Sequence, residues 1–237
     1  MDQILLKRFI EQAIIEDIGS GDHTSLATIP SNATGKAKLL VKEKGIIAGV
    51  EVALAIFNAF DSTLTIDVLI TDGEAVNIGD IVLYVSGNQQ SILKAERLVL
   101  NTMQRMSGIA TKTNRIVKSL AEYNTKVLDT RKTTPGLRYL EKWAVRIGGG
   151  VNHRIGLYDM ILIKDNHVDY AGGIANAIKA ANAYLKDTSK NLAIEIEVRN
   201  LKELNEVLAQ GNVDRIMLDN FELPLLKEAV EIISGRF

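Results

Sequence analysis

The chain of 237 residues contains no cysteine. It therefore has no disulfide bond, no thiolate metal site and no cysteine nucleophile. A surplus of either charge is also missing, because 28 lysines and arginines stand against 29 aspartates and glutamates, for a net charge of −1. A chain without excess positive charge is not a general binder of nucleic acid or of anionic membranes. With 46% hydrophobic residues, it can bury the core of a globular protein.

Long hydrophobic runs are missing as well. The most apolar stretch, residues 46–60, is too short to span a bilayer and contains Glu51. Near the N-terminus, Lys7, Arg8 and Glu11 interrupt any apolar core of a signal peptide. We therefore expect a cytoplasmic protein that has neither nucleic-acid nor membrane partners.

The first hundred residues have the pattern of a small α+β unit. Apolar residues such as Leu5 and Phe9 recur every four positions and predict an amphipathic helix. Alternation of apolar and polar residues in 63–70 predicts a half-buried strand. Residues 93–123 predict a long helix, in which Gly108 marks a break or a point of close packing.

Strands and helices alternate in the second half of the chain. Short apolar runs that end in polar residues are centred near 128, 162, 195 and 217, with helical stretches at roughly 172–186, 201–210 and 222–233. This repetition predicts right-handed βαβ units and a parallel sheet. Polar strand ends favour a barrel over an open sheet, and four strands are too few to complete a barrel.

Charged and polar side chains collect at the predicted strand ends, where the active sites of parallel α/β barrels lie. They are Asp129, Thr130, Arg131, Lys132, Lys164, Asp165, Glu195, Glu197, Asp219 and Asn220. Residues 126–167 hold eight basic side chains against four acidic ones, together with His153 and His167. This local excess predicts a small polyanionic ligand, because guanidinium groups bind carboxylates and phosphates in bidentate fashion.

Some of these residues also have ordinary structural explanations. The 130–132 segment fits a solvated turn, Gly148–Gly150 fits a flexible loop as well as a backbone close to a ligand, and His153 alone is typical of a hydrogen-bonded histidine. Lys164 follows four apolar residues at a strand end, which indicates an anion clamp or a Schiff-base amine.

The two glutamates of one strand raise a similar choice. Glu195 and Glu197 are two positions apart, so they share a face of the strand. One of them could serve only as an ion-pair partner of Arg199 or Lys202, and Asp219 has the same alternative. Four charged strand ends on one edge are together better explained by a binding site.

Segments in order along nearly the whole chain resemble the quinolinate phosphoribosyltransferase family. These are EDIGSGDHTS, AERLVLNTMQRMSGIAT at 95–111, DTRKTTPGLR at 129–138, EKWAVRIGGGVNHRIGLYDMILIKDNH at 141–167, EIEVRNL at 195–201 and IMLDNF at 216–221. The resemblance implies phosphoribosyl transfer from phosphoribosyl pyrophosphate to quinolinate with decarboxylation, which gives nicotinate mononucleotide, CO2 and pyrophosphate in NAD biosynthesis.

The resemblance also implies an α/β fold. An N-terminal α/β sandwich domain, residues 1–94, would precede an α/β barrel of parallel strands, residues 95–237, with the active site at the barrel mouth. Family members continue further and add a Ser-Gly-Gly-type phosphate loop. Because this sequence ends at Phe237 without that motif, we expect an incomplete barrel.

Site residues are carried over from the family position by position. The resemblance implies catalytic roles for Lys132, Lys164, Glu197 and Asp219. It implies substrate contacts, chiefly to quinolinate carboxylates and to phosphates, for Thr130, Arg131, Lys132, His153, Arg154 and Lys164. Glu197 and Asp219 would bind the ribose hydroxyls and place Mg²⁺. Arg97 would reach a neighbouring subunit, which implies a homodimer or a larger assembly of dimers.

The residue types suit this reaction, because a pyridine nitrogen already carries the attacking lone pair and the site has only to control charge. Three other readings stay open. The chain could be a truncated or non-catalytic relative that binds anionic ligands, or a Schiff-base barrel lyase that uses Lys164. Related transferases for nicotinate and a molybdenum-associated relative share the scaffold.

Overall fold

The computed structural model describes residues 2–237, and packing divides the chain into two compact units. The first unit extends to His153, and the second runs from Arg154 to Phe237. The boundary expected from the sequence lies between residues 94 and 95 and separates the two family domains. It is a different boundary from this division by packing, and it stays a prediction.

The first unit combines helices with short antiparallel sheets. Its helices are α1 (Gln3–Ile18), α2 (His23–Thr28), α3 (Val50–Phe60), α4 (Gln89–Ser119) and α5 (Arg138–Ile147). Its strands are β1 (Thr34–Leu40), β2 (Gly45–Ile46), β3 (Thr65–Val68), β4 (Ala75–Val76) and β5 (Ile81–Asn88). Strand β5 is central in a sheet of order β1-β5-β3, and β2 pairs with β4. The predicted alternation is confirmed in β3, where Ile66 and Val68 are half-buried between exposed neighbours.

The core of the first unit lies between α3 and α4. Helix α3 buries Val52 and Ile56, and α4 buries Val99 and Met106, at positions spaced for one face of each helix. Asp72 caps α3, since its carboxylate accepts the amide N–H of Val50 at 2.9 Å. The buried apolar side chains therefore hold α4 against α3, and α5 packs against α4.

Gly108 was expected to break α4 or to mark close packing, and both expectations are wrong. The helix continues without interruption from Gln89 to Ser119. A Cβ placed on Gly108 would meet no atom within 4 Å outside the helix's own backbone. One glycine in a helix costs about 1 kcal/mol, which the packing of a 31-residue helix easily offsets.

Glycines 148 and 150 serve close packing against α4 and α5. A Cβ on Gly148 would lie 2.5 Å from the carbonyl oxygen of Ala110, and one on Gly150 would lie 2.7 Å from Val145. These contacts account for Gly148 and Gly150 by close packing, rather than by the flexible loop expected from the sequence.

The second unit alternates parallel strands with helices. Its elements in order are β6 (Ile161–Ile163), α6 (Asp165–Ala171), α7 (Ile174–Asp187), β7 (Ile194–Val198), α8 (Leu201–Gln210), β8 (Arg215–Leu218) and α9 (Leu223–Ile233). The strands form one parallel sheet in the order β6-β7-β8. The expected strands near 162, 195 and 217 and the three expected helices are confirmed. Pairing of each strand with the preceding one is the arrangement of βα barrels.

The two faces of this sheet differ in chemistry. Ile194, Ile196 and Val198 point to one face of β7 and belong to the hydrophobic core under the helices. Glu195 and Glu197 alternate with them and therefore point to the other face, although both are buried. The expectation that these glutamates share a face is confirmed.

The run near residue 128 was expected to be a strand, and this is wrong. Leu128 makes a single parallel bridge with Val151, outside any strand. Leu128 and Val151 are both exposed, so little apolar burial supports a longer ladder there.

Within residues 2–237, no helix is long and apolar enough to cross a membrane.

The glycine contacts predict opposite effects of two alanine substitutions. Gly108→Ala should raise the free energy of unfolding by about 0.5–1 kcal/mol, because alanine is the better helix former and no atom obstructs its methyl group. Gly148→Ala should lower the free energy of unfolding by about 2 kcal/mol or more, because the methyl group would press on backbone. Urea unfolding measures both, and equal effects of the two variants would contradict this account.

Candidate functional site

Loop 129–134 of the first unit carries three of the predicted ligand residues. Thr130, Arg131 and Lys132 lie between the Leu128 bridge and helix α5. The hydroxyl of Thr130 accepts the amide N–H of Lys132 at 3.0 Å, so it shapes the turn. Lys132 is exposed and Arg131 is half-buried.

Three charged side chains of α5 hold this loop. Arg138, Glu141 and Lys142 are spaced i, i+3 and i+4, so they lie on one side of the helix. Arg138 donates from Nε to the Thr133 hydroxyl at 3.0 Å, and Glu141 accepts the amide N–H of Thr134 at 3.2 Å. Both bonds hold the C-terminal half of the loop.

Glu141 is itself paired with Arg105 of α4. The Arg105 Nε donates to the Glu141 carboxylate at 2.9 Å, and its Nη2 donates to the Thr134 hydroxyl at 2.6 Å. Burial raises the pKa of Glu141, but the hydrogen bonds from Arg105 and Thr134 outweigh burial, and the pKa of this carboxyl is lowered from its usual value. The carboxylate is thus stabilised in its charged form.

Lys142 and Asp129 form a buried ion pair at the start of the loop. The Asp129 carboxylate also accepts the amide N–H of His153 at 2.9 Å and a bond from the side chain of Asn152. Lys142 donates a second bond, from Nζ to the carbonyl oxygen of His153, at 3.0 Å. These contacts bring the segment with His153 to the start of the loop.

Arg131 carries an unsatisfied donor. Among the residues that the structure describes, its Nε is the one buried side-chain nitrogen or oxygen without a hydrogen-bond partner. A buried donor of this kind is costly unless something binds it. An oxyanion is the partner that a guanidinium fits best.

Arg97 lies on the exposed side of α4. It lines an open cavity of about 720 Å³ in the first unit, together with Arg8 and Arg105. The walls are α1, α4 and residues 135–141, so the cavity belongs wholly to this unit.

Lys164 and Glu197 meet at the ends of β6 and β7 in the second unit. The Lys164 Nζ donates to the Glu197 carboxylate at 2.6 Å, and the Lys164 side chain is 45% exposed against 8% for Glu197. His167 accepts the amide N–H of Lys164 at 2.9 Å and thereby holds the strand end at the start of α6. A half-exposed ammonium on a buried carboxylate is able to contact an anionic ligand.

The other predicted residues of this unit lie on loops and strand ends. Arg154 donates to the carbonyl oxygen of Met160 at 3.4 Å, and the loop between them is held by Asp159, which accepts the amide N–H of Gly156 at 2.8 Å. Asp219 follows β8, where its amide N–H donates to the carbonyl oxygen of Val198 at 3.0 Å. Its carboxylate accepts a bond from the side chain of Asn220 at 2.8 Å.

Arg199 does not use the sheet glutamates. It pairs with Glu203 at 2.6 Å and with Asp169 at 3.5 Å. Arg199 therefore gives no ordinary ion-pair explanation for the carboxylates of Glu195 and Glu197.

Sequence reasoning missed the residues that support the loop. They are Arg105, Arg138, Glu141, Lys142 and Asn152. The i, i+3, i+4 spacing on α5 was a usable signal, because charged residues at that spacing share one side of a helix. Their partners could not be found in this way, since Asp129, Thr134 and His153 lie on other segments.

Matches to known proteins cover almost the whole chain. Residues 22–107 match the family model described as quinolinate phosphoribosyl transferase, N-terminal domain, and residues 109–237 match the model of its C-terminal domain. The chain is 47% identical to the carboxylating, chloroplastic nicotinate-nucleotide pyrophosphorylase of Arabidopsis thaliana, over 98% of this chain and 70% of the relative. It is 46% identical to the decarboxylating, mitochondrial quinolinate phosphoribosyltransferase 2b of Nicotiana tabacum, with the same coverage.

A solved structure has the same fold. NadC from Streptococcus pyogenes superposes with a TM-score of 0.92 at 39% identity, covering 100% of this chain and 82% of that one.

The lowered pKa of Glu141 predicts a pH-dependent contribution to stability. A carboxyl with a lowered pKa stabilises the fold above its unfolded pKa of about 4.3, and this contribution is lost as the pH falls through the folded value. Glu141→Gln should therefore lower the free energy of unfolding by about 1–3 kcal/mol at pH 7 and by less below about pH 4. The exposed Glu206→Gln is the control, and a difference for Glu141→Gln that stays constant from pH 7 to pH 3 would contradict the assignment.

Proposed function

The chain belongs to the quinolinate phosphoribosyltransferase family, and from this premise we propose that it transfers the phosphoribosyl group of phosphoribosyl pyrophosphate to quinolinate. The transfer releases pyrophosphate and CO2 and forms nicotinate mononucleotide for NAD biosynthesis. The observation that carries this conclusion is the match of both family domains, in order, to residues 22–107 and 109–237. The chain is accordingly an enzyme, a decarboxylating phosphoribosyltransferase, and its cytoplasmic location is part of the proposal.

We assign the cationic side chains to the two anionic substrates. Quinolinate brings two carboxylates and the sugar brings its phosphates, so cations have to offset their repulsion and orient the reacting atoms. Arg131 and Lys132 take this role, and we assign His153 and the Thr130 hydroxyl as neighbouring substrate contacts. The unsatisfied, buried Nε of Arg131 supports the assignment, because an oxyanion would satisfy it.

Arg154 and Lys164 are assigned the same role toward the anionic substrates. The ion pair with Glu197 holds the Lys164 ammonium at the end of β6 while leaving its side chain nearly half exposed. We assign Lys164 as a catalytic ammonium group on this basis, and Lys132 as a second one from its position in the family motif.

The chemistry needs no activated nucleophile on the protein. The ring nitrogen of quinolinate attacks C1 of the ribose with its own lone pair, the N–C1 bond forms, and the bond from C1 to pyrophosphate breaks. The bond to the neighbouring carboxylate then breaks and CO2 departs, the positively charged ring nitrogen stabilises the electron pair left on the ring carbon, and a proton from solvent forms a new C–H bond there. Glu197 and Asp219 would bind the ribose hydroxyls and stabilise the positive charge that develops at C1.

The donor chemistry of Glu197 and Asp219 fits Mg²⁺, which prefers hard oxygen ligands. Among residues 2–237 no cluster of three or more His, Cys, Asp or Glu side chains is arranged to hold a metal ion. These two carboxylates would therefore hold the ion together with substrate phosphates and water, as is usual for Mg²⁺. Bound Mg²⁺ supplies positive charge that offsets the charge of pyrophosphate.

The Schiff-base alternative for Lys164 finds less support. A Schiff base requires a neutral amine with a free lone pair. The Lys164 Nζ instead donates to a buried carboxylate at 2.6 Å, an arrangement suited to an ammonium. Borohydride reduction with a keto substrate should therefore trap no adduct on Lys164.

Release of CO2 tests the proposed function. The 237-residue chain, given quinolinate labelled in its carboxylates, should release one CO2 for each pyrophosphate, and only when phosphoribosyl pyrophosphate and Mg²⁺ are present. Excess EDTA should stop the release, and added Mg²⁺ should restore it. Folded protein that binds quinolinate without releasing CO2 would contradict the proposal and favour a non-catalytic relative.

We further propose that the enzyme is a homodimer or a larger assembly of dimers, in which Arg97 contacts substrate bound to the neighbouring subunit. The position of Arg97 supports this, because it is exposed on α4 beside an open cavity that also presents Arg8 and Arg105. An exposed guanidinium beside an open cavity is available to a second chain.

Mixing two inactive variants tests this assignment. Arg97→Ala and Lys164→Ala should each lose most activity, because each removes a cation from the substrates. Subunit exchange in an equal mixture should restore about one quarter of the wild-type rate, since half of the dimers are mixed and each contains one intact site. Lys179→Ala, an exposed control, should stay active. A mixture without recovered activity, despite subunit exchange verified by labelled chains, would place Arg97 in the site of its own subunit.

A further inference from the structure

Lys142 is a buried lysine that the proposed reaction does not use. Its side chain is 2% exposed, and that of its partner Asp129 is 7% exposed. Leu140 and Ala144, on the same helix, belong to the hydrophobic core. A buried ion pair is a weak source of stability, because desolvation cancels much of the attraction and an apolar pair of similar volume often does as well. Stability alone does not account for these two charges.

The ion pair joins three segments of the first unit. Lys142 belongs to α5, Asp129 begins loop 129–134, and His153 follows the Val151 bridge. Lys142 donates both to the Asp129 carboxylate and to the carbonyl oxygen of His153, while the amide N–H of His153 donates to the same carboxylate at 2.9 Å. The backbone of His153 is thus held on both its N–H and its carbonyl.

Asn152 closes the network. Its side-chain amide donates to the Asp129 carboxylate and to the carbonyl oxygen of Lys142 at 2.8 Å. A network whose buried members are all bonded defines one arrangement of the segments that it joins.

We propose that Lys142 is a positioning residue for substrate binding: through Asp129 and the His153 carbonyl it fixes the backbone that presents residues 130–132 and 153 to the substrates. The inference rests on the proposed function, because those residues are the ones assigned there. Lys142 is then not one of the cations that neutralise the substrates, because its charge is buried and is balanced by Asp129. Small displacements of binding groups cost much catalysis, which gives such a residue a large effect at a distance.

Two double variants test the proposal as a matched pair. Both replace the ion pair by neutral side chains: Asp129→Leu with Lys142→Met, and Asp129→Asn with Lys142→Met. Only the asparagine variant keeps an acceptor for the amide N–H of His153. The measurements are thermal unfolding, affinity for quinolinate, kcat and KM, and hydrogen exchange of the His153 amide.

The leucine variant should remain folded, with the exchange of the His153 amide accelerated about tenfold or more, because an amide that loses its acceptor opens more readily. Its kcat/KM for quinolinate should fall by about 100-fold. The asparagine variant should retain more affinity and more protection at a similar melting temperature. Arg146→Met, an exposed control on α5, should behave as wild type.

Equal affinities for quinolinate in the two double variants would overturn the proposal. Activity that falls only as far as the folded fraction falls would also overturn it, because this is the signature of a merely structural role. If the leucine variant does not fold, the asparagine variant is compared with wild type, because it also lacks the Lys142 bonds to residue 129 and to the His153 carbonyl; unchanged exchange of the His153 amide and unchanged affinity in the asparagine variant would overturn the proposal.

Failure of the proposed function is distinguishable from failure of this inference. Wild-type chain without CO2 release would refute the proposed function, while quinolinate affinity and His153 exchange would still decide the positioning role. Wild-type chain that binds no quinolinate would overturn both.

Discussion

The buried carboxylate of Asp129 is the point on which the polar part of the first unit depends. Buried away from water, it needs donors on both oxygens, and Lys142, Asn152 and the His153 amide supply them. Lys142 reaches this carboxylate only if α5 has one particular orientation about its own axis. The same orientation turns Arg138, one helical turn earlier, and Glu141, the preceding residue, toward the loop that follows Asp129. One buried charge thus determines how a whole loop is held.

In the second unit, the corresponding constraint is the alternation of β7. The isoleucines and valine of the strand fill the core under the helices, which sends Glu195 and Glu197 to the opposite face. Lys164, at the end of the adjacent strand, then lies within hydrogen-bond distance of Glu197. The charged face of the sheet is therefore a consequence of the apolar packing on its other side.

The elements that could be predicted from the sequence are those whose signal is local. Strands β7 and β8 and helices α7 to α9 have strong periodicity, and their positions were predicted closely. Helix α6 was not predicted, because its seven residues are too few to show a helical period. The strand expected near 128 was wrong, since apolar residues alone do not make a ladder without burial.

For the candidate site, too, the sequence shows local features but not contacts between distant residues. Residue types at the strand ends predicted an anionic ligand and pointed to Arg131, Lys164 and Glu197, whose roles stay predictions. The contacts that hold them depend on residues far apart in sequence, such as Arg105 with Glu141 and Lys142 with Asp129. A single sequence does not show which distant charges meet, and the break expected at Gly108 shows that a local signal can also be overridden by packing.

The unbroken helix α4 has a consequence for how this chain can change in length. Each residue of a helix advances it by 100° and 1.5 Å, so one insertion between Arg97 and Met106 would turn the guanidinium away from its present direction while the core residues stayed in place. A one-residue insertion or deletion within Gln89–Ser119 would therefore rotate the two parts of the helix relative to each other by about 100°. The exposed turn at 120–126 carries no such restriction. We therefore expect length variation between homologues in turns of that kind. Helix α4 fixes the distance and the angle between Arg97 and the core residues of the same helix.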